Sequence, residues 1–529
     1  MKSHPTEVKI HYCHNHPMEA KYSLRHRKPK PEVVAKFCKM FSKGHSPSSA
    51  WNVHRYDIQL EKGDEFFKYL GDGAECPNLQ WCYYQFYKSY EDAYGSFQGD
   101  KLYESLQSAV NDYNESMKSI CAKMLKQNEE VIVAICSPLM KRVHTLRSSG
   151  EIVFVDTGGG VDRDNYRFLL MVTPSICGAL PLGVILLNSE SEATLSKGLN
   201  TLQSIMPDNA FNGRGKQGPA LVMTDDAPAL RNSIAKLYTC AILLLCKFHV
   251  LQAFWDYVWD SQHGVLELED KRTLFLLFKR VLNMETMEEF EKSYDFALED
   301  ETLAKYPNIL KHMKDLRRRS NEWAMCHRAK LITRGNDTDN YVKSNIKSFK
   351  DIVMGRCKAF SVVQLFDFIT TRFQAYYERR IADVLNDRLI NYTKSKFYFP
   401  PEKLAPIVCE RSTIPNQYNI LNTEKKTEYV VDMDLEACSC KAARGGAPCK
   451  HLCAVVKKYN LSCSQILECN EEMKRVLHLV MTGTLENVPD NWYEVPTDYT
   501  KCAMEHELVF SECNQTGFEF LKFLFFFKY

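Results

Sequence analysis

Three cysteines and a histidine crowded into fourteen residues constrain this chain more than any other feature. The run CSCKAARGGAPCKHL, Cys438 to Leu452, sets Cys438, Cys440, Cys449 and His451 in a C-x-C-x8-C-x-H array. Between the two pairs, Gly445 to Pro448 supplies a Gly-Gly-Ala-Pro turn that folds the second pair back onto the first. Three thiolates and an imidazole fill all four positions of a tetrahedral zinc ion and leave none for a substrate, so the expected zinc is structural. With 20 cysteines in the chain, scattered free thiols are the competing reading. Two ordered pairs with a turn between them favour the metal.

The flanks fit the same picture. TEYVVDMD (Thr427 to Asp434) alternates like a strand, and LCAVVKKY (Leu452 to Tyr459) reads as a short helix. The segment resembles the SWIM zinc finger, a C-x-C-x(n)-C-x-H pattern preceded by a strand and followed by a helix.

At 529 residues, two to four domains are expected. Hydrophobic residues at 45% and charged residues at 25% describe an ordinary folded chain. A formal net charge of +2 exerts no strong overall pull on nucleic acid, so DNA contact requires local patches. RHRKPK (Arg25 to Lys30) and KDLRRRS (Lys314 to Ser320) are the candidates, against the plainer reading of solvated charged faces.

MKSHPTEVKIHYCHNHP shows no apolar signal segment, and the cysteine count then points to a reducing compartment, nuclear or otherwise cytoplasmic, and not secreted. FEFLKFLFFFKY contains Lys522 and is too short to span a bilayer, so no membrane association is expected. Cys13, His14 and His16 resemble the second half of a WRKY, GCM or FLYWCH finger without its upstream cysteines. Residues 1–30 are therefore read as the remnant of such a finger.

Residues 31–130 read as helical, with apolar spacing of three and four in PEVVAKFCKMF, QWCYYQFYKSYEDAY and KLYESLQSAVNDYNESMKSICAKMLKQ. The central block changes period. EIVFVDT, RFLLMVTP and ALPLGVILLN are buried-type strands, and EATLSKGLNTLQSIM is an amphipathic helix. Strand PALVMTDDA, helix PALRNSIAKLY, strand AILLLCKFHV and a helix beginning at LQAFWDYVWD follow. The order βββαβαβα is that of a ribonuclease H-like mixed sheet, interrupted by helices from about residue 262 to 330.

Asp156 ends the first of these strands, and Asp225, with Asp226 behind it, ends the fourth. Side by side, their carboxylates plus a third acid would hold two Mg²⁺ ions about 3.5–4 Å apart for phosphodiester transfer. These strands, Cys246 and His249 (C-x-x-H), and NEWAMCHR followed by RGNDTDNYVKSNIKSFKD resemble the Mutator-like (MULE) transposase domain over residues 130–385. The resemblance implies a third catalytic glutamate, but Lys343 stands at that position. An ammonium there removes a ligand and repels the cation. Asp339, Asp337 and Glu322 are the possible substitutes, with Asp339 expected as a helix cap, and the carboxylate pair is expected to be solvated or salt-bridged, Lys343 being one candidate partner. Cys246 and His249 show only two ligands, so a packed thiol and a hydrogen-bonded imidazole are expected in preference to a second metal site.

The resulting expectation is an α/β plus α chain. It comprises the finger remnant (1–30), a helical region (31–130), a MULE-derived ribonuclease H-like domain with a helical insertion (131–400), a SWIM finger (401–465) and a tail (466–529). The resemblance, with Lys343 in place of the glutamate, implies a domesticated, catalytically inactive protein that binds zinc and acts by binding DNA or nuclear proteins. The alternatives are an active Mg²⁺-dependent transposase and a docking adaptor that binds no DNA. Sequence specifies neither the partner nor the oligomeric state.

Overall fold

The computed structural model describes residues 9, 17, 18, 20–95, 99–359, 361–388, 398–459, 461, 463, 471–486, 488, 489 and 491–493. Cys13, His14, His16 and the phenylalanine-rich C-terminal run lie outside them.

Four long helices come first, beside shorter turns of helix: α1 (Pro31–Ser42), α2 (Pro47–Lys62), α3 (Leu79–Tyr94) and α4 (Gly99–Met117). The first three share a small aromatic core of Phe37, Phe41, Phe86 and Tyr90. A seven-stranded mixed sheet then forms from β1 (Ala122–Gln127), β2 (Glu130–Ile135), β3 (Ile152–Gly158), β4 (Arg167–Ser175), β5 (Gly178–Leu187), β6 (Leu221–Thr224) and β7 (Ile242–Leu245). Its order is β1-β2-β5-β4-β3-β6-β7. The β3–β6 and β6–β7 pairs are parallel and the others antiparallel.

The continuous apolar runs of β3, β4 and β5 follow from burial on both faces. On one face lie α5 (Glu192–Gln203) and, packed on it, α6 (Pro228–Leu237). Helix α11 (Asn340–Ser348) crosses the other face over β3 to β5. Gly158 permits that crossing, since a Cβ there would come within 2.8 Å of Ile346 Cγ2. Phe168 of β4 stacks on Phe349 at 4.4 Å between ring centres, extending the same core.

A separate helical layer follows β7, built from α7 (Lys247–Trp259), α8 (Leu268–Leu282), α9 (Met287–Leu298) and α10 (Pro307–Arg318) around Phe254, Phe278, Phe290 and Trp323. After α11 the chain returns to the main core through α12 (Val362–Phe368) and α13 (Gln374–Leu385), joined by a π-turn. A second sheet closes the described fold: β8 (Ile407–Arg411), β9 (Gln417–Asn422), β10 (Thr427–Asp432) and β11 (Ala437–Cys438), with α14 (Lys450–Tyr459) packed against it. Within the expected tail, α15 (Glu471–Thr482) docks on α13, and Arg142 donates to its terminal carbonyls Val480 and Met481 at 2.7 and 2.8 Å.

Three sequence expectations are corrected. The helix expected through Gln127 stops at Met117, where Lys118 turns to φ 50°, and AKMLKQ becomes edge strand β1, paired with β2 around a turn at Asn128. Strand AILLLCKFHV ends at Leu245, so Cys246 is an N-cap and His249 lies in the first turn of α7. Strands β8 and β9 form where no element was expected.

Candidate metal centre and carboxylate cluster

The β10–β11 hairpin carries the first cysteine pair. Val431 faces Cys438 across the ladder, and the Leu435 N–H donates to Asp432 Oδ1 at 3.0 Å in the turn. Cys440 leads into a 3₁₀ turn (Lys441–Gly446) that carries the chain to Cys449, immediately before α14. The Leu452 N–H donates to Cys449 Sγ at 3.4 Å. A thiolate at a helix N-terminus is favoured by the exposed amides and the dipole.

His451 sits in the first turn of α14 with its ring stacked 4.3 Å from that of Tyr429. One ligand atom from each of Cys438, Cys440, Cys449 and His451 lies within 4.8 Å of the other three. Cys438 Sγ and His451 Nδ1 are 3.8 Å apart, against about 3.6 Å for a tetrahedral edge built from ordinary Zn–S and Zn–N bonds. Three thiols packed this closely cannot all ionise unaided. Hydrogen bonding to Cys440 pushes Cys438 up to about 12, contact with Cys438 drives Cys449 higher, and Cys440, which accepts from both, is held far below the usual thiol range. A divalent cation replaces those shared protons. Donor type, spacing and burial all fit zinc.

The SWIM zinc finger family model matches residues 429–460. These residues form a SWIM zinc finger. No curated protein matches the chain. The SWIM finger is fastened to the rest of the fold by Arg334, which donates to Glu151 and to the Gly446 carbonyl.

The carboxylates form a second cluster. β3 and β6 run parallel with Phe154 beside Met223, so Asp156 and Asp225, each two residues further on, lie side by side. Asp156 is 8% exposed and accepts from the Thr157 N–H at 2.7 Å. Burial first, and then the charge of Asp225, push its carboxyl up to about 6. Asp225 Oδ1 accepts from the Ala227 N–H at 3.3 Å.

Asp226 points elsewhere. It pairs with Arg319 at 2.7 Å, Arg319 also binds Glu322 at 2.7 Å, and Glu322 binds Arg231 at 2.6 Å. Asp337 lies 3.9 Å from Arg328. Neither Glu322 nor Asp337 therefore joins Asp156.

Asp339 does approach it. It occupies the N-cap position of α11 but makes no side-chain cap bond, which corrects the capping expectation. Instead, Cys246 Sγ donates to its Oδ1 at 3.0 Å, and His249 Nδ1 lies 3.1 Å from its Oδ2. Its charge also acts on Asp156. The expected salt bridge from Lys343 to the carboxylate pair is absent among the described residues. The Lys343 ammonium lies against His249 Nε2 and over the Phe248 ring at 5.3 Å. Sequence reasoning missed the joining of Cys246 and His249 to Asp339, which lies 93 residues beyond Cys246.

Asp156→Asn tests the burial of this pair. A carboxyl raised from 3.8 to about 6 favours folding only while protonated, so that contribution is full below about 4 and lost as pH rises through 6. The amide variant is expected to be more stable than the parent by about 3 kcal/mol at pH 8, with the gap closing below pH ~4. Urea titrations across that range without added Mg²⁺ measure it, and a pH-independent difference would contradict the assignment.

Proposed function

We propose that this protein acts by binding, through its SWIM finger, and not by cutting nucleic acid. The strand order β5-β4-β3-β6-β7, three antiparallel strands followed by two parallel ones, supports a ribonuclease H-like, MULE transposase-derived core. The observation that carries the loss of activity is the third position. Lys343 brings a cation there, and Asp339, the acid nearest the pair, is engaged by Cys246 and His249. Two carboxylates and an ammonium are poorly suited to two Mg²⁺ ions.

A protein partner is favoured over DNA. Within the basic runs, Arg27 pairs with Asp72 at 2.7 Å, Lys30 with Glu75, Arg317 with Glu291 at 2.5 Å and Arg319 with Asp226, which lowers their net positive charge. On the finger sheet Val408, Leu421 and Val430 are each about 40% exposed, with Val408 and Leu421 directly paired. Apolar side chains grouped on one face suit a protein contact. A nuclear location accords with this reading, and among the described residues no helix is long and apolar enough to cross a membrane.

The test is a pull-down of the full chain and of Cys449→Ser, scored for protein and DNA, beside a nicking assay with oligonucleotides and Mg²⁺ or Mn²⁺. Protein capture lost in the variant and no nicking are expected. Salt-dependent DNA capture of comparable strength would overturn the preference for protein. Metal-dependent cleavage that Asp156→Asn abolishes would establish an active transposase, and its loss in Asp339→Asn as well would make Asp339 the third acid.

A further inference from the structure

The Cys246, His249 and Asp339 side chains meet where three segments are held together. Cys246 caps α7 at the end of β7, His249 follows in its first turn, and Asp339 opens α11. The Lys247 N–H donates to the Asp337 carbonyl at 2.9 Å, and the Asp339 N–H donates to Cys246 Sγ at 3.3 Å. These two bonds clamp the start of α7 against the start of α11. One ligand atom from each residue lies within 4.8 Å of the other two. Cys246 and Asp339 are fully buried, and the His249 side chain is 19% exposed.

The contact between His249 and Asp339 is the informative one. Nδ1 and Oδ2 are 3.1 Å apart, yet both are buried atoms with no hydrogen-bond partner of acceptable geometry. Their charges attract at that distance, but a buried carboxylate oxygen and ring nitrogen without an aligned hydrogen bond are costly, and something normally satisfies them. The two atoms are close without being aligned as donor and acceptor, which is how two ligands of one cation stand.

We propose that Cys246, His249 and Asp339 bind a second zinc ion, distinct from that of the SWIM finger. The donors are one sulfur, one nitrogen and one oxygen. The thiolate selects Zn²⁺ over Mg²⁺, which takes oxygen ligands. Binding replaces the thiol proton of Cys246 and the proton on His249 Nδ1. Tetrahedral edges of about 3.4–3.6 Å are a few tenths of an ångström wider than the present S···O and N···O separations, which a small rotation of the carboxylate provides. Three protein ligands leave the fourth position to water. With the metal on Nδ1 the neutral ring carries its proton on Nε2, so Lys343, which lies against that atom, must swing away on its flexible stem. The inference goes beyond the binding function proposed above and does not depend on it.

Zinc content of the full chain, purified without chelator, tests it. Two zinc ions per chain are expected in the parent, and one in Cys246→Ser, with the finger still loaded. Lys343→Met should keep two. In Cys449→Ser, where the finger is lost, cobalt substitution should still give the thiolate-to-cobalt absorption of a site with one sulfur. One zinc per chain in the parent overturns the proposal, as does a Cys246→Ser protein that retains two. Should Cys246→Ser fail to fold, the near-isosteric Asp339→Asn takes its place under the same two outcomes.

Discussion

Cys449→Ser is expected to unfold the SWIM finger while leaving the central sheet folded. The finger core is small: Cys409, Tyr418, Ile420, Val431, Leu452, Val455 and a few neighbours, together with the ligand cysteines themselves. A unit of this size cannot bury enough apolar surface to offset chain entropy without a staple. Zinc is that staple, and structural zinc in finger peptides contributes roughly 10–16 kcal/mol to folding at neutral pH. Cys449 is the ligand to remove because it is 1% exposed and links the 3₁₀ turn to α14. Serine leaves the other thiols and His451 buried with no cation to share. Limited proteolysis should cut the variant, or chelator-treated parent, between residues 427 and 459, while fragments covering β1 to β7 persist. The central sheet has its own apolar cluster, which does not include these residues. Protection of the 427–459 segment equal to the parent's, in zinc-free protein, would refute a structural role for the metal.

What could be read from sequence depended on distance along the chain. The finger ligands span fourteen residues, so spacing and one turn specify them. Strands β3 to β5 were legible because burial on both faces makes each a continuous apolar run. β1 was not, since AKMLKQ is polar, rich in helix-favouring residues and sits at the sheet edge; only its pairing with EVIVAI makes it a strand. The convergence of Asp156 and Asp225 followed once their strands were assumed adjacent. Asp339 is different. Its role depends on an entire helical layer, residues 247–326, folding between it and Cys246. Nor does any local signal tell whether the Lys343 ammonium turns to Asp156 or to His249; packing around Phe248 decides it.

Arg334→Met should cost about 1.5–3 kcal/mol, the range for losing hydrogen bonds to a charged group, since Arg147 still pairs with Glu151 at 3.0 Å. The guanidinium side chain is 9% exposed and grips Glu151 with two bonds, at 2.9 and 2.6 Å. It also lies 3.9 Å from Glu436 in the β10–β11 turn and donates to the Gly446 carbonyl at 3.4 Å. One side chain thus holds the residue preceding β3 and two points on the finger. Methionine fills similar volume but leaves Glu151, whose side chain is only 14% exposed, and the buried Glu436 to share a single cation, Arg147, at 3.0 and 3.3 Å. Lysine would keep the charge and lose the fork, so it should recover only part of the loss. Removing Glu151 as well relieves the excess of buried carboxylates around Arg147, so Arg334→Met with Glu151→Leu should be less destabilised than the sum of the two single variants by about 1 kcal/mol or more. Urea midpoints of the four proteins give this coupling. Additive losses, or a single-variant loss below about 1 kcal/mol, would mean that the finger is held by its apolar contacts and not by Arg334.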